Sequence, residues 1–320
     1  MGTESGSSVA GDGQWALRIN ARIAEDASLS PEGMLAGFHE HEIDLDGIAV
    51  RLEFTTQPPT SVTQLGIQAG GLSSEATAKQ LGERLRDGLL VCGVSLRMGI
   101  DCVDGASDTL DEALAMMNAD ADPNPMHATR SGLNVLRAPP DAHVAVVTFA
   151  RRPQQIGVED FAVKLGESVS TMHIFSERHR LALELYASSH FEGAPRSRLV
   201  SLVTTLEALA TPRPRSDRVQ HLIAELVEHV TCALPAEADT ERLKAGLRSL
   251  KREGIKQACR ALVAARLTDA DAEWFGEMYD TRSRLLHDGT VSVERDLPGD
   301  VERLDALVSQ VVLRSAGIAP

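Results

Sequence analysis

Residues 268–289 read TDADAEWFGEMYDTRSRLLHDG and have the pattern of one well-bounded helix. Thr268 and Asp271 stand three positions apart, as in a capping box, and Gly289 stands where a helix commonly ends in a left-handed residue. At about 100° per residue, five apolar residues share one stripe, namely Phe275, Met278, Tyr279, Leu285 and Leu286. The segment therefore predicts a helix that packs this stripe against other helices.

The 3.6-residue period of this helix extends over the whole C-terminal half of the chain. It begins near residue 160 and predicts seven helices, at residues 176–191, 196–210, 216–234, 239–254, 255–267, 268–287 and 301–315. No segment there alternates with the two-residue period of a strand. This half is therefore expected to be all-helical.

The N-terminal half has a different pattern. Residues 15–23 and 47–55 alternate apolar and polar side chains, which predicts two half-buried strands that pair with each other. A helix is expected from Ser74, which can cap its first turn, to Leu96. Further strands are expected at residues 133–137 and 143–151, and a short helix at residues 107–117.

These patterns predict an α+β protein with two folded domains. Residues 1–13 form a tail that is expected to be disordered. Residues 14–170 form an N-terminal α/β domain of unknown role, with a small β-sheet and helices. Residues 171–320 form an all-α helical bundle. The total length of 320 residues suits two domains better than one core.

The charge of the chain limits how it can meet nucleic acid. Lys and Arg number 32 against 46 Asp and Glu, a net charge of −14, which argues against a protein coated with nucleic acid. Residues 1–170 contain 12 basic and 24 acidic residues, whereas residues 171–320 contain 20 and 22. A confined RNA site in the helical half therefore remains compatible with the sequence. Aromatic residues make up only 3%, so such a site would contact phosphates rather than stack on bases.

Basic residues of the helical half form two clusters. Arg213, Arg215 and Arg218 lie in one short loop. The second cluster comprises Lys244, Arg248, Lys251, Arg252, Lys256 and Arg260. A polyanion could approach these residues, and a solvated helix face with ordinary salt bridges is the favoured interpretation of the second cluster.

Other classes of site and location are disfavoured. The four cysteines, Cys92, Cys102, Cys232 and Cys259, lack the close pairs of zinc or redox sites and are expected to be buried free thiols. Residues 39–42, HEHE, have ligand-type side chains but precede a strand without a partner cluster, so no metal is expected. No phosphate-binding glycine loop is present, so no cofactor is expected. Without a long apolar stretch or a secretory signal, we expect a cytoplasmic protein with no membrane contact.

Arg282 falls at the centre of the apolar stripe and has two interpretations. A guanidinium stays charged, so a buried one needs a carboxylate, carbonyl groups or an anion in a cleft. It is either a paired core arginine that ties helices together or an arginine that binds an anion.

His287 lies five positions further on, about 140° round the helix from Arg282. The two residues converge only if the last turn loosens or if a second copy of the helix supplies one of them. A basic residue in the last turn also interacts favourably with the helix dipole, which needs no catalytic role.

The string MYDTRSRLLHDG, residues 278–289, resembles the signature of HEPN domains, an Arg and a His separated by four to six residues. Residues 182–210, ALELYASSHFEGAPRSRLVSLVTTLEALA, are similar to the opening helices of the Apea-like branch of that superfamily. The resemblance covers about residues 171–320. It places the motif near the end of an all-helical domain, before one last helix.

The resemblance implies a homodimer whose two motifs meet in one cleft and a metal-independent endoribonuclease serving in defence or stress response. Arg282 would bind the scissile phosphate of RNA, and His287 would act as general base or general acid, for which the ordinary pKa of histidine is suited. The position after the arginine often holds a larger polar residue in active members, and here it is Ser283. Glu207 is the candidate for holding Arg282 without substrate. Tyr279 either packs or extends its hydroxyl towards the cleft.

A second function is consistent with the same residues. A HEPN-like module without catalytic activity would dimerise and bind a protein or nucleotide partner, with Arg282 in a structural role. It predicts that Arg282→Ala lowers the thermal stability of the protein.

Overall fold

The computed structural model describes residues 15–23, 27–30, 37–56, 64–102, 132–137, 154–170, 175–234, 239–290 and 295–319. The chain divides into two compact units, residues 1–174 and 175–320. In the described ranges, the first unit contains all the strands and two helices, and the second unit contains seven helices. The predicted α+β class is confirmed.

The first unit is built on an antiparallel sheet. Its strands are β1 (Trp15–Ile23), β3 (Gly37–Leu45), β4 (Ile48–Thr56), β5 (Gln64–Leu72), β6 (Ile100–Asp101) and β7 (Gly132–Arg137). The order is β3-β4-β5-β1-β6, and β7 also pairs with β1. Two short strands, β2 (Ala27–Ser30) and β8 (Gln154–Gly157), form a separate parallel pair.

The predicted pairing of the first two strands is wrong. Strand β4, predicted at residues 47–55, pairs with β3 and β5, and β5 lies between β4 and β1. The sequence did not indicate β5 because Gly66, Gly70 and Gly71 weaken its strand pattern. Likewise, residues 39–42 lie within β3 rather than in a turn before a strand, because their backbone pairs with β4.

Two helices lie in the first unit, α1 (Glu75–Leu96) and α2 (Val158–Ser170). Ser74 caps α1 by accepting a hydrogen bond from the Thr77 amide at 3.1 Å, as predicted. Helix α1 contacts β1, β7 and α2, so Leu85, Leu89 and Phe161 are buried in one core. Helix α2 was not predicted, since it follows β8 without a loop that would mark its start.

Arg18, on the polar side of β1, is buried, although the half-buried strand pattern predicted an exposed residue. Arg18 forms an ion pair with Glu53 of β4, with 2.6 Å between Nη1 and Oε2 and only 2% and 3% of the two side chains exposed. Gly66 of β5 pairs with Glu53 in the register of the sheet, two residues before Gln68, which pairs with Arg18. A side chain at Gly66 would place its Cβ 2.7 Å from Arg18 Nη2, so the glycine leaves room for the ion pair.

All seven helices predicted in the second unit are present. They are α3 (Glu177–Ser189), α4 (Pro195–Leu209), α5 (Asp217–Ala233), α6 (Thr240–Ser249), α7 (Ile255–Arg266), α8 (Asp269–Asp288) and α9 (Leu297–Ser315). Helix α4 contacts α3, α7, α8 and α9, and its residues Leu199, Leu202 and Leu206 are fully buried. Helices α5 and α6 contact each other and bury only Ile223 and Thr240.

Other predictions have mixed outcomes. Cys92, Cys102 and Cys259 are buried free thiols, whereas Cys232 is exposed because it lies on the weakly covered helix α5. The tail at residues 1–13, the helix at 107–117 and the strand at 143–151 lie outside the described residues. Among the helices of the described residues, none combines the length and apolar character needed to cross a bilayer.

Candidate functional site

Helix α8 has the boundaries that its sequence predicts. Thr268 accepts a hydrogen bond from the Asp271 amide at 3.1 Å and donates one from its hydroxyl to Asp271 Oδ2 at 2.6 Å. Gly289 ends the helix with φ of 69°, in the left-handed region. The Gly289 amide bonds to the Leu285 carbonyl at 3.1 Å, so the helix stays regular through its last turn.

The predicted apolar stripe of α8 is buried only in its first part. Phe275 and Met278 are fully buried, but Leu286 is 52% exposed. The last turn of the helix therefore leaves the core, and the buried face shifts to Thr281. Arg282 lies at the edge of the core rather than at its centre, with 19% of its side chain exposed.

Glu207 of α4 contacts both polar groups of α8 that the sequence singled out. Arg282 Nη2 donates to Glu207 Oε2 at 3.2 Å, and the Tyr279 hydroxyl donates to Glu207 Oε1 at 2.7 Å. The Arg282 guanidinium also lies 5.8 Å from the centroid of the Tyr279 ring. Both carboxylate oxygens of Glu207 are thus used to hold α8 against α4.

Burial and nearby charge raise the pKa of two groups at this cluster, the Cys259 thiol and the Tyr279 hydroxyl. Burial, followed by the nearby Glu207 carboxylate, raises the pKa of Cys259 to about 12, although Arg282 opposes the change. Burial and the hydrogen bond to Glu207 raise the pKa of the Tyr279 hydroxyl. Both groups therefore stay protonated at neutral pH. Neither can act there as a base, and the tyrosine remains a hydrogen-bond donor.

Arg282 retains hydrogen-bonding capacity after it binds Glu207. Only its Nη2 bonds to Glu207, and in the described part of the chain its buried Nε atom has no hydrogen-bond partner. An unsatisfied guanidinium N–H is costly, and an anion oxygen is a suitable acceptor for it. Arg282 is therefore held by Glu207 through Nη2, while its buried Nε is left without an acceptor in the described part of the chain.

His287 is not part of this cluster within one chain. It is exposed in the last turn of α8, and across the described ranges no hydrogen bond or ion pair connects it with Arg282. Because the last turn is regular, the two side chains leave the helix about 140° apart. Ser283 is half-buried next to Arg282. The structure thus brings Glu207, Tyr279 and Arg282 together and leaves His287 on another face.

Cys259 of α7 is a neighbour of the cluster that the sequence pattern did not indicate. Its position in the helical period of α7 indicates burial, but only the packing of α7 on α8 puts it near Glu207 and Arg282. Another missed contact joins the same helices, since Lys256 Nζ lies 2.6 Å from Asp280 Oδ1. Neither contact follows from sequence spacing.

The second basic cluster divides into paired and unpaired members. Lys244, Lys256 and Arg260 form ion pairs with Glu241, Asp280 and Glu273, as the favoured interpretation expects. In residues 175–234, 239–290 and 295–319, no ion pair involves the remaining members, Arg248, Lys251 and Arg252. The unpaired cations are adjacent to the loop that carries Arg213 and Arg215.

A second polar cluster of the helical unit contains a histidine and a carboxylate that are almost fully buried. His190 Nε2 lies 3.3 Å from Asp305 Oδ1, with 1% and 2% of the side chains exposed, and Arg198 Nη2 lies 3.4 Å from the same oxygen. Arg198 Nη2 also lies 3.0 Å from His190 Nδ1. Asp305 falls on the buried face of α9 between Leu304 and Val308. A charged residue among the apolar positions of a helix is the same sequence signal that singled out Arg282.

Within the described residues, no group of three or more His, Cys, Asp or Glu side chains could hold a metal ion. The chain matches no protein-family model, no curated protein and no solved structure. Its function is therefore inferred from the chemistry of its own residues.

Proposed function

We propose that this chain is a metal-independent endoribonuclease of HEPN type that acts as a homodimer, in the setting of defence or stress response that its motif implies. The observation that supports this most is Arg282, which Glu207 holds on one side while its Nε lacks a partner among the described residues. A phosphate at this position would accept hydrogen bonds from the guanidinium and would be stabilised by its positive charge. Among acidic polymers, RNA also offers the 2′-hydroxyl that a histidine can activate.

The reaction needs only groups that the dimer would supply. His287 removes the proton of the ribose 2′-hydroxyl, whose oxygen attacks phosphorus while the bond to the 5′-oxygen breaks. The His287 imidazolium then donates this proton to the leaving 5′-oxygen, so each site needs one His287. Arg282 stabilises the charge on the phosphate oxygens during attack. The products are a 2′,3′-cyclic phosphate and a free 5′-hydroxyl.

A second copy of the chain is required in this proposal because one regular helix cannot bring Arg282 and His287 to one face. Exposed apolar residues on the helical unit support dimerisation, namely Val219, Leu222 and Leu226 of α5 and Leu286 of α8.

Cleavage of mixed-sequence RNA in EDTA tests the catalytic assignment. Wild-type protein should cleave, whereas Arg282→Ala and His287→Ala should each lose activity by roughly 100-fold or more. Arg284→Ala is the matched control, since this exposed residue of the same helix only bonds to the Asp280 carbonyl at 3.5 Å. The proposal fails if wild type and all three variants leave RNA equally intact.

Mixing the two inactive variants tests the shared site. If each site takes Arg282 from one protomer and His287 from the other, a hybrid dimer of Arg282→Ala and His287→Ala contains one intact site. Coexpression should then restore up to about half of the activity of the dimer, because one of its two sites is whole. No restoration in verified hybrid dimers would contradict the shared site.

The alternative function, a non-catalytic dimerising module that binds a protein or nucleotide, has its own support. Glu207 joins Arg282 and Tyr279 of α8 to α4, which is a structural use of the arginine. This alternative predicts a marked loss of thermal stability in Arg282→Ala and no cleavage by any variant. An unchanged melting temperature together with lost cleavage would favour the ribonuclease.

A further inference from the structure

Two basic segments of the helical unit are held side by side by backbone hydrogen bonds. The Arg215 amide donates to the Lys251 carbonyl at 2.9 Å, and the Glu253 amide donates to the Arg213 carbonyl at 2.9 Å. Pro214 and Arg252 form the antiparallel bridge between them. The loop after α4 and the segment between α6 and α7 therefore form one surface, although they are distant in sequence.

This surface concentrates positive charge. We call it the bridge patch and define it by six cations, Arg213, Arg215, Arg218, Arg248, Lys251 and Arg252. All are exposed except Lys251, which is half-buried. Adjacent segments of such a bridge are about 5 Å apart, so cations from both sides fall within reach of one chain of phosphates.

Carboxylates do little to neutralise the bridge patch. Glu253 Oε1 accepts a hydrogen bond from the Arg213 amide at 2.9 Å rather than pairing with a guanidinium. Glu241 interacts first with Lys244 and only more weakly with Arg248. Among the described residues, no ion pair involves any of the six cations.

One member of the bridge patch is fixed in place. Arg215 Nε donates to the carbonyls of Leu250 at 3.1 Å and Arg252 at 3.3 Å. These bonds use Nε, and in the described ranges the two terminal nitrogens have no hydrogen bond. A fixed guanidinium loses less conformational entropy when it binds phosphate than a free one does.

The bridge patch and Arg282 lie at the same end of the helical unit. Helix α4 ends at Leu209, two residues after Glu207, and continues directly into the loop with Arg213. Helices α7 and α8 run antiparallel, since Lys256 contacts Asp280 and Arg260 contacts Glu273. The start of α7, next to Arg252, therefore lies beside the turn of α8 that carries Arg282.

We propose that the bridge patch binds the sugar-phosphate backbone of single-stranded RNA and leads it to Arg282, an inference that rests on the proposed ribonuclease function. Contacts between cations and phosphates do not depend on base sequence, and each one releases counterions from the strand. With 3% aromatic residues in the chain, base stacking contributes little. Binding is therefore weakly sequence-dependent and strongly salt-dependent.

The test measures the affinity of a fluorescent, unstructured RNA 20-mer for full-length Arg282→Ala protein between 50 and 400 mM KCl. This background removes cleavage, so binding is observed alone. Adding Arg213→Gln with Arg252→Gln should reduce the magnitude of the slope of log K against log[salt] by about 1.4, because each phosphate contact on a single strand contributes about 0.7. Affinity at the lowest salt should fall roughly tenfold.

The matched control is Arg196→Gln with Arg266→Gln, which removes the same charge. Arg196 lies at the start of α4, about 20 Å along the helix from the end with the bridge patch, and Arg266 lies at the end of α7, about 16 Å from that end. Made in the same Arg282→Ala background, this control should keep the slope of the Arg282→Ala protein. A rescue variant, Arg213→Lys with Arg252→Lys, keeps both charges and should restore the slope.

Each result has a distinct meaning. The proposal that the bridge patch binds RNA would be overturned by two results. One is an equal salt slope for the two double glutamine variants, and the other is no RNA binding at all. If RNA binding depends on the bridge patch but the wild-type protein does not cleave RNA, the bridge patch is supported as an RNA-binding surface and the proposed ribonuclease function is overturned. If the wild-type protein cleaves RNA but the patch variants bind RNA unchanged, the ribonuclease function is supported and the role of the bridge patch is overturned.

Discussion

Arg18 and Glu53 are charged residues in the interior of the first unit, where an unpaired charge would be costly. Their ion pair, 2.6 Å between Nη1 and Oε2, is accommodated because the intervening strand has a glycine, Gly66, at the crossing point. A Cβ at that position would lie 2.7 Å from Arg18 Nη2 and 3.1 Å from Glu53 Oε2. The glycine is thus needed for space rather than for an unusual backbone angle.

Gly66→Ala should therefore destabilise the first unit. The methyl group would push the ends of two buried, paired side chains apart, and we expect a loss of about 1–3 kcal/mol in the free energy of unfolding. Urea denaturation followed by circular dichroism measures this loss.

The control for this substitution is Gly166→Ala in α2. No atom lies within 4 Å of a Cβ added there, so a helix interior that gains alanine should become more stable, by up to about 1 kcal/mol. A Gly66→Ala protein as stable as wild type would contradict the steric role of Gly66.

At the scale of elements, Asp305 links three helices of the second unit. It lies on α9, and its Oδ1 atom contacts His190 after α3 and Arg198 on α4. Burial tends to raise the pKa of Asp305, but the hydrogen bond and charge of His190 and the charge of Arg198 together lower it from 3.8 to about 2. The helices are therefore held by a carboxylate that stays ionised in mild acid.

This lowered pKa predicts acid sensitivity of the second unit. A carboxyl whose pKa is lower in the folded state stabilises the fold above pH 3.8, and its contribution is lost as the pH falls towards 2. The contribution is about 2 kcal/mol, roughly half of which is lost by pH 3. In Asp305→Asn, the difference in unfolding free energy between pH 7 and pH 3 should be smaller than in wild type by about 1 kcal/mol.

Asp217→Asn is the control for the acid experiment, because Asp217 is exposed in the first turn of α5. Its pH 7 to pH 3 difference should remain close to that of wild type. If Asp305→Asn loses as much stability in acid as wild type does, the carboxylate does not hold the helices in the way described.

Elements with a strong local pattern could be predicted from the sequence, and others could not. The seven helices of the second unit follow from apolar residues three and four positions apart, and the start of α8 follows from Thr268 and Asp271. Strand β5 was missed because its glycines carry no side chain to reveal an alternation. Arg282 was singled out as a charge at the centre of the apolar stripe, whereas its place at the core edge follows from the packing of α8 on α4.

At the scale of the whole molecule, the second unit should fold without the first. Its buried residues Tyr186, Leu202, Phe275 and Val308 come from four of its own helices. A fragment of residues 175–320 should therefore unfold cooperatively, with a helical circular dichroism spectrum.

A shorter fragment, residues 175–290, is the matched comparison. It lacks α9, which supplies Leu304, Val308 and Val311 to the core and Asp305 to the buried cluster. We expect this fragment to show no cooperative transition. Non-cooperative unfolding of the longer fragment would indicate that the second unit depends on the first.

The sequence by itself determined the α+β class, the seven helices of the second unit and the capped boundaries of α8. All of these depend on residues within a few positions of one another. Only the tertiary structure decided that β5 separates β4 from β1 and that Leu286 is exposed. It also decided that two basic segments form one patch. These features depend on contacts between distant segments, and such pairings leave no periodic signal in the chain.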